Sequence, residues 1–234
     1  MKSLFRTVTT AGILVGLTGC AAAAPRTVQR GPDAEVTADG LHRVDNSVME
    51  LAYVKPDLSL GPYTKLMLDQ ATVAYQKDPG TRRQSPGGVG GEQNFALSPE
   101  QMSNLKTMFQ EAVFIALTKD DGYVMVDAPG PDVLRISAHL VDLVIRVPTE
   151  PTGGTRRQRT RSYGEVTVIF ELRDSESEEI LARVAERRDP TRNTDESLAL
   201  VSPALVRTDM ERLFNYWADQ LREGLDLVRE VGLP

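Results

Sequence analysis

Two stretches of this chain carry apolar residues at helical spacing, and the sequence between them alternates. Few folds satisfy both patterns. Ser98, Pro99 and Gln101 form a helix start, with Ser98 as N-cap, Pro99 in the first helical position and Gln101 closing a capping box. Beyond it Met102, Leu105, Phe109, Ala112, Val113, Ala116 and Leu117 recur at steps of three and four, so they share one face. Asp121 and Gly122 stop the helix. A second stripe comprises Val206, Met210, Leu213, Phe214, Trp217, Leu221, Leu225 and Val228. It starts either at Pro203 or at a second capping box, Thr208 and Glu211. Both faces read as core, although the second also has the form of a partner-binding groove.

The alternating stretches supply the sheet. Residues 132–147 make the longest strand, and their apolar residues change sides near Leu140 and Val141, which predicts a β-bulge there. Residues 165–173 alternate through Val166, Val168, Phe170 and Leu172. A polar turn joins them to 180–187, a hairpin partner with Ile180, Ala182 and Val184 inward. Residues 63–76 read as a strand bent near 69–71, with Leu66, Leu68, Val73 and Tyr75 inward, and shorter strands are expected near 52–55 and 123–126. The expectation is a single α+β domain at 40–234, with a mostly antiparallel or mixed sheet of about five strands and both long helices on one face.

The N-terminus reads differently. Lys2 and Arg6 precede a short apolar run, and Leu17, Thr18, Gly19 and Cys20 close it. That order describes a secretory signal at 1–19, and the run falls well short of the ~20 apolar residues that cross a bilayer. The Leu-Thr-Gly-Cys end resembles the lipobox of bacterial lipoproteins. The resemblance implies acylation of the Cys20 thiol, cleavage before it, and membrane attachment through the acyl chains. Ala21 stands where Asp would favour inner-membrane retention, so the implied address is the outer membrane, facing the periplasm. Residues 20–39, rich in Ala with Pro25, Gly31 and Pro32, read as a flexible tether.

Charge and motifs narrow the function. The formal net charge is −6, and loss of Lys2 and Arg6 takes it to −8, which argues against nucleic acid as a partner. Cys20 is the one cysteine, so lipidation leaves no thiol for a disulfide, a zinc-cysteine site or a Cys/His nucleophile. No cofactor or metal motif and no serine-nucleophile elbow is present, and no enzyme activity is expected. His139 lies mid-strand and reads as a hydrogen-bonded structural residue; His42 reads as solvated. Asp142 or Glu165 could lie in a cleft, but carboxylates are too common for the sequence alone to select one. The glycine-rich 77–97 stretch reads as a loop, because polar residues separate its glycines from the helix start. Arg156, Arg157, Arg159 and Arg161 form the best exposed candidate for binding anions or a partner, with 157, 159 and 161 on one side if extended.

A second resemblance spans residues 40–226. Gly40-Leu41, Val44-Asp45, the segment Ala-Pro-Gly-Pro-Asp-Val-Leu-Arg at 128–135, Gly164-Glu165, Leu181-Ala182-Arg183 and Trp217-Ala218 resemble a domain-of-unknown-function family of Gram-negative lipoproteins. It supports the fold and the address and implies no catalytic residues. The expected role is an envelope interaction or scaffold domain with a protein partner. The alternative is a small-molecule or glycolipid binder of an envelope transport system, using a pocket between sheet and helices bordered by the glycine-rich and arginine-rich loops. A hydrolase with a carboxylate site is the third reading.

Overall fold

The computed structural model describes residues 25–77, 95–147, 159–191, 199–230 and 232. The predicted lipobox Leu17, Thr18, Gly19 and Cys20, and Arg156, Arg157 and Gly87–Gly91 of the loops, lie outside them. The elements are β1 (Thr27–Val28), β2 (His42–Asp45), β3 (Leu51–Val54), β4 (Lys65–Leu68), β5 (Thr72–Tyr75) and α1 (Pro99–Thr118). Then follow β6 (Val124–Met125), β7 (Val133–Ile145), β8 (Arg159–Thr160), β9 (Gly164–Asp174), β10 (Ile180–Arg188), β11 (Ala199–Leu200) and α2 (Pro203–Glu230).

Nine strands join in one sheet ordered β1-β2-β3-β10-β9-β7-β4-β6, with β5 also paired to β7, and β8 and β11 pair separately. The expected strand count of about five is therefore too low. β3 and β6 fall at the expected short strands, the bent 63–76 strand divides into β4 and β5, and β1 and β2, of two and four residues, are too short to show a period. The sheet is mixed: β7 runs antiparallel to β9 but parallel to β4 and β5. Parallel pairing needs a long crossover, and α1 supplies it between β5 and β6.

Local chemistry explains the elements. Ser98 and Gln101 make the reciprocal capping bonds at the start of α1. The bend near 69–71 separates β4 from β5, and Asp69 holds it by accepting from Arg135 Nε at 2.9 Å and Ser137 Oγ at 2.6 Å. The bulge in β7 falls between Val141 and Val144, with Asp142 at φ 50°, and it turns both Leu143 and Val144 inward. Tyr75, expected inward, is 39% exposed; it ends β5 and accepts a hydrogen bond from the Leu97 amide at 2.7 Å.

Both helices cover the same face of the sheet. Phe109 of α1, Phe170 of β9, and Phe214 and Trp217 of α2 are wholly buried. Their rings form a chain, with centroids 6.0 Å apart for Phe109–Phe170, 5.1 Å for Phe109–Phe214 and 6.2 Å for Phe214–Trp217. Glu186 follows Ala182 and Val184 on the inward side of β10, and its carboxylate accepts from Trp217 Nε1 at 3.1 Å and Arg188 Nε at 2.6 Å. A buried carboxylate persists only when paired in this way.

The segment 25–39 departs from the tether reading. Val28 is buried, β1 pairs with β2, Val36 bridges His42, and Asn46 Nδ2 donates to the Pro25 carbonyl at 3.0 Å. Composition misses this because backbone pairing with β2, more than apolar side chains, holds the segment. His42, expected in solvent, is half-buried with Nδ1 2.8 Å from the Gln29 carbonyl.

The C-terminal end of α1 is closed by α2. Arg222 Nη1 donates to the carbonyls of Ala116 at 3.2 Å and Leu117 at 3.0 Å, while Nε bonds Asp226 at 2.6 Å. Its guanidinium also lies 5.0 Å from the centre of the Tyr123 ring. Arg222→Ala is expected to cost about 2–3 kcal/mol, since it strands orphan carbonyls and removes charge-assisted bonds. Urea denaturation followed by Trp217 fluorescence measures it. Burial, then the hydrogen bond to Asp226, pushes the Tyr123 phenol up to about 12. A raised folded value stabilises fully below the ordinary tyrosine pKa and is lost as pH climbs through 12. Tyr123→Phe should therefore flatten the loss of stability between pH 10 and 12, by about 2 kcal/mol.

Candidate functional site

A groove of about 750 Å3 opens between α1, the first half of α2, and the sheet end where β7 finishes and β9 begins. Leu105, Met108, Val144, Val166, Val206 and Met210 give it an apolar floor, and Gln101, Asn104, Glu111, Glu211 and Asn215 form a polar rim. The capping box fixes the start of α1 and so turns Leu105 and Met108 toward the groove. Gly164 permits the sheet wall. Its φ is 143°, and a Cβ there would lie 1.9 Å from the Val144 carbonyl oxygen, so a side chain would push β9 off β7 at the bulge.

Charges at the wall are already paired. Glu165 accepts from Arg146 Nη2 at 2.7 Å and from Arg187 Nε at 2.8 Å. The Arg146 bond holds its carboxyl below the usual carboxylate range against the raising effect of burial, and Arg187 adds to it. On the helix side Arg207 Nε donates to Glu211 at 2.8 Å. A general acid at neutral pH needs a carboxyl pKa pushed up. The resolved carboxylate shifts of Asp39, Asp132, Glu165, Glu171 and Asp174 all run downward.

The predicted site residues fall in different places. Glu165 lines the groove, whereas Asp142 is exposed at the bulge. Arg159 lies in β8 opposite Leu200, and Arg161 follows it; both are exposed, and the chain then enters the groove wall at Tyr163. His139 is half-buried on the helix-free face, with Nδ1 2.8 Å from Thr72 Oγ1, as a structural histidine. Among the described residues no three His, Cys, Asp or Glu side chains are grouped to hold a metal, and no helix is long and apolar enough to cross a membrane.

Sequence reasoning missed the helix-free face. Arg173 and Arg183 both bond Glu171, at 2.6 Å and 2.8 Å, and Arg183 also reaches Asp39 at 2.9 Å. Burial works to raise Glu171, and the two arginines outweigh it and hold its carboxyl below the ordinary range. The signal was present as charged residues on the outward alternate positions, Glu165, Glu171 and Arg173 in β9 and Arg183 and Arg187 in β10.

A family profile described as a protein of unknown function, DUF3313, matches residues 37–221, most of the chain. The chain belongs to the DUF3313 family. The matched span of this DUF3313 protein contains all of α1, α2 as far as Leu221, and the whole apolar floor of the groove. No curated protein matches it. Among solved structures, the DUF3313 chain resembles a Xanthomonas campestris protein with the DUF330 family model at 13% identity and TM-score 0.38, covering 74% of this chain and 86% of that one. A PelC dodecamer from Paraburkholderia phytofirmans matches at 9% identity and TM-score 0.34, covering 73% of this chain and 98% of that one. A Helicobacter pylori homologue of neuraminyllactose-binding hemagglutinin matches at 8% identity and TM-score 0.35, covering 75% and 88%.

Proposed function

We propose that this DUF3313 protein is a non-enzymatic binding domain of the Gram-negative envelope. It is anchored by acyl chains on Cys20 to the outer membrane and faces the periplasm, and it docks a protein partner in the groove between its helices. The observation that carries the reading is the groove itself: an apolar floor, a polar rim, and wall charges tied in ion pairs instead of held ready for proton transfer. Apolar centre and polar rim are the anatomy of a docking surface. The lipobox supports the anchor, and the docked 25–39 segment keeps the domain close to it.

The test places a photoreactive amino acid at Met108 in intact cells and a second at Thr167 on the helix-free face. The docking reading expects a discrete adduct with one envelope protein from Met108 and none from Thr167. Uncrosslinked monomer at both positions, at native abundance, contradicts it.

The groove volume also lies within the range of small-ligand sites, roughly 300–1,000 Å3. That favours a second reading, an accessory binder of a small amphiphile or glycolipid. Native mass spectrometry of detergent-free protein separates the two. A bound lipid mass that disappears in Val206→Trp supports the second reading, and an empty domain supports the first.

A further inference from the structure

A second, smaller cleft lies at the other end of α2, where the N-terminal segment joins the domain. It measures about 80 Å3, and Val48, Met49, Val184, Gly224, Leu227 and Val228 are among the residues that line it. Arg26 stands at its rim and pairs with Glu223 at 2.9 Å, and the preceding Pro25 is tied to Asn46. The chain therefore arrives beside this cleft from its upstream segment.

Gly224 distinguishes the cleft from an ordinary packing gap. It lies well inside α2, where glycine weakens a helix relative to alanine. No atom of the described residues lies within 4 Å of the position its Cβ would take, and its φ is not in the left-handed region. Among the described residues nothing requires a glycine there, yet its absent side chain keeps the cleft open.

The residues between Cys20 and Pro25 number four, all alanine, and the span from 20 to 25 reaches at most about 18 Å when extended. We infer that this cleft seats the acyl group carried by Cys20 of the same chain. The inference rests on the lipoprotein reading above. The small volume admits the first methylenes of one acyl chain and leaves the rest to the bilayer. Apolar surface that water would otherwise touch is covered, and the domain is held against the membrane instead of swinging on a leash. The docking groove is then carried at the far end. Val206 in its floor and Glu223 beside the cleft are seventeen residues apart on α2, about 26 Å along the axis.

The experiment feeds cells a palmitate analogue with its diazirine on one of the first carbons after the carboxyl, irradiates them, and maps adducts on the full-length protein by peptide mass spectrometry. The inference expects intrachain adducts confined to peptides that carry the cleft's lining residues, at 26, 44–60, 172–184 and 220–228. Gly224→Leu, which fills the cleft, should reduce them at least fivefold without lowering the melting temperature or the membrane-bound fraction. Gly224→Ala should keep them.

An acylated, membrane-bound protein whose adducts are only with lipid, only with another protein, or spread evenly over the domain overturns the inference and leaves the anchor intact. Absence of acyl incorporation overturns both.

Discussion

Gly164→Ala is expected to be the most damaging small substitution in the domain, at a cost on the order of 3–5 kcal/mol. Two effects add. The backbone sits at φ 143°, a region L-residues rarely occupy, and the new Cβ would meet the Val144 carbonyl oxygen at 1.9 Å and its carbon at 2.9 Å. Neither atom can swing away, because Val144 is paired with Glu165 across β7 and β9. Strain at such positions costs about 1–3 kcal/mol and overpacking a similar amount. Gly61→Ala is the matched control: its nearest neighbour would be Ser59 Oγ at 3.6 Å, so it should stay within about 0.5 kcal/mol of wild type. Urea midpoints read through the single tryptophan, Trp217, decide between them.

Phe109→Ala is expected to cost about 3–5 kcal/mol. Phe109 is fully buried and contacts the rings of both Phe170 and Phe214, so its removal leaves a cavity where α1, α2 and β9 meet. Phe114, one and a half turns further along the same helix, is 48% exposed, and Phe114→Ala should change stability by under about 0.5 kcal/mol. Equal effects at the two positions would contradict the assignment of helix faces.

Much of this architecture was legible in the residues. The capping box, the two helical stripes, the β9–β10 hairpin and the bulge in β7 each leave a local pattern, because helix and strand periods are imposed by one segment's own burial. Pairings made elsewhere leave none. β1 holds residues 25–39 through backbone bonds to β2, and such bonds are blind to side-chain type. The parallel placement of β4 and β5 against β7 depends on where α1 delivers the chain. Glu186 shows the opposite case: the alternation through Ala182 and Val184 pointed straight at it, but a carboxylate on a core face becomes intelligible only with Trp217 Nε1 and Arg188 beside it. The groove was legible only as a region bordered by two loops. Its floor is assembled from α1, α2, β7 and β9, and no single stretch announces it.

The account depends most on the fate of one sulfur atom. Cells expressing wild-type protein or Cys20→Ala, grown with an alkyne fatty acid and separated into membrane and soluble fractions, test it directly. The account predicts labelled wild-type protein in the outer-membrane fraction and unlabelled Cys20→Ala that either stays uncleaved or is released. Equal labelling of the two, or wild-type protein free in the soluble fraction with an unmodified thiol, would contradict it.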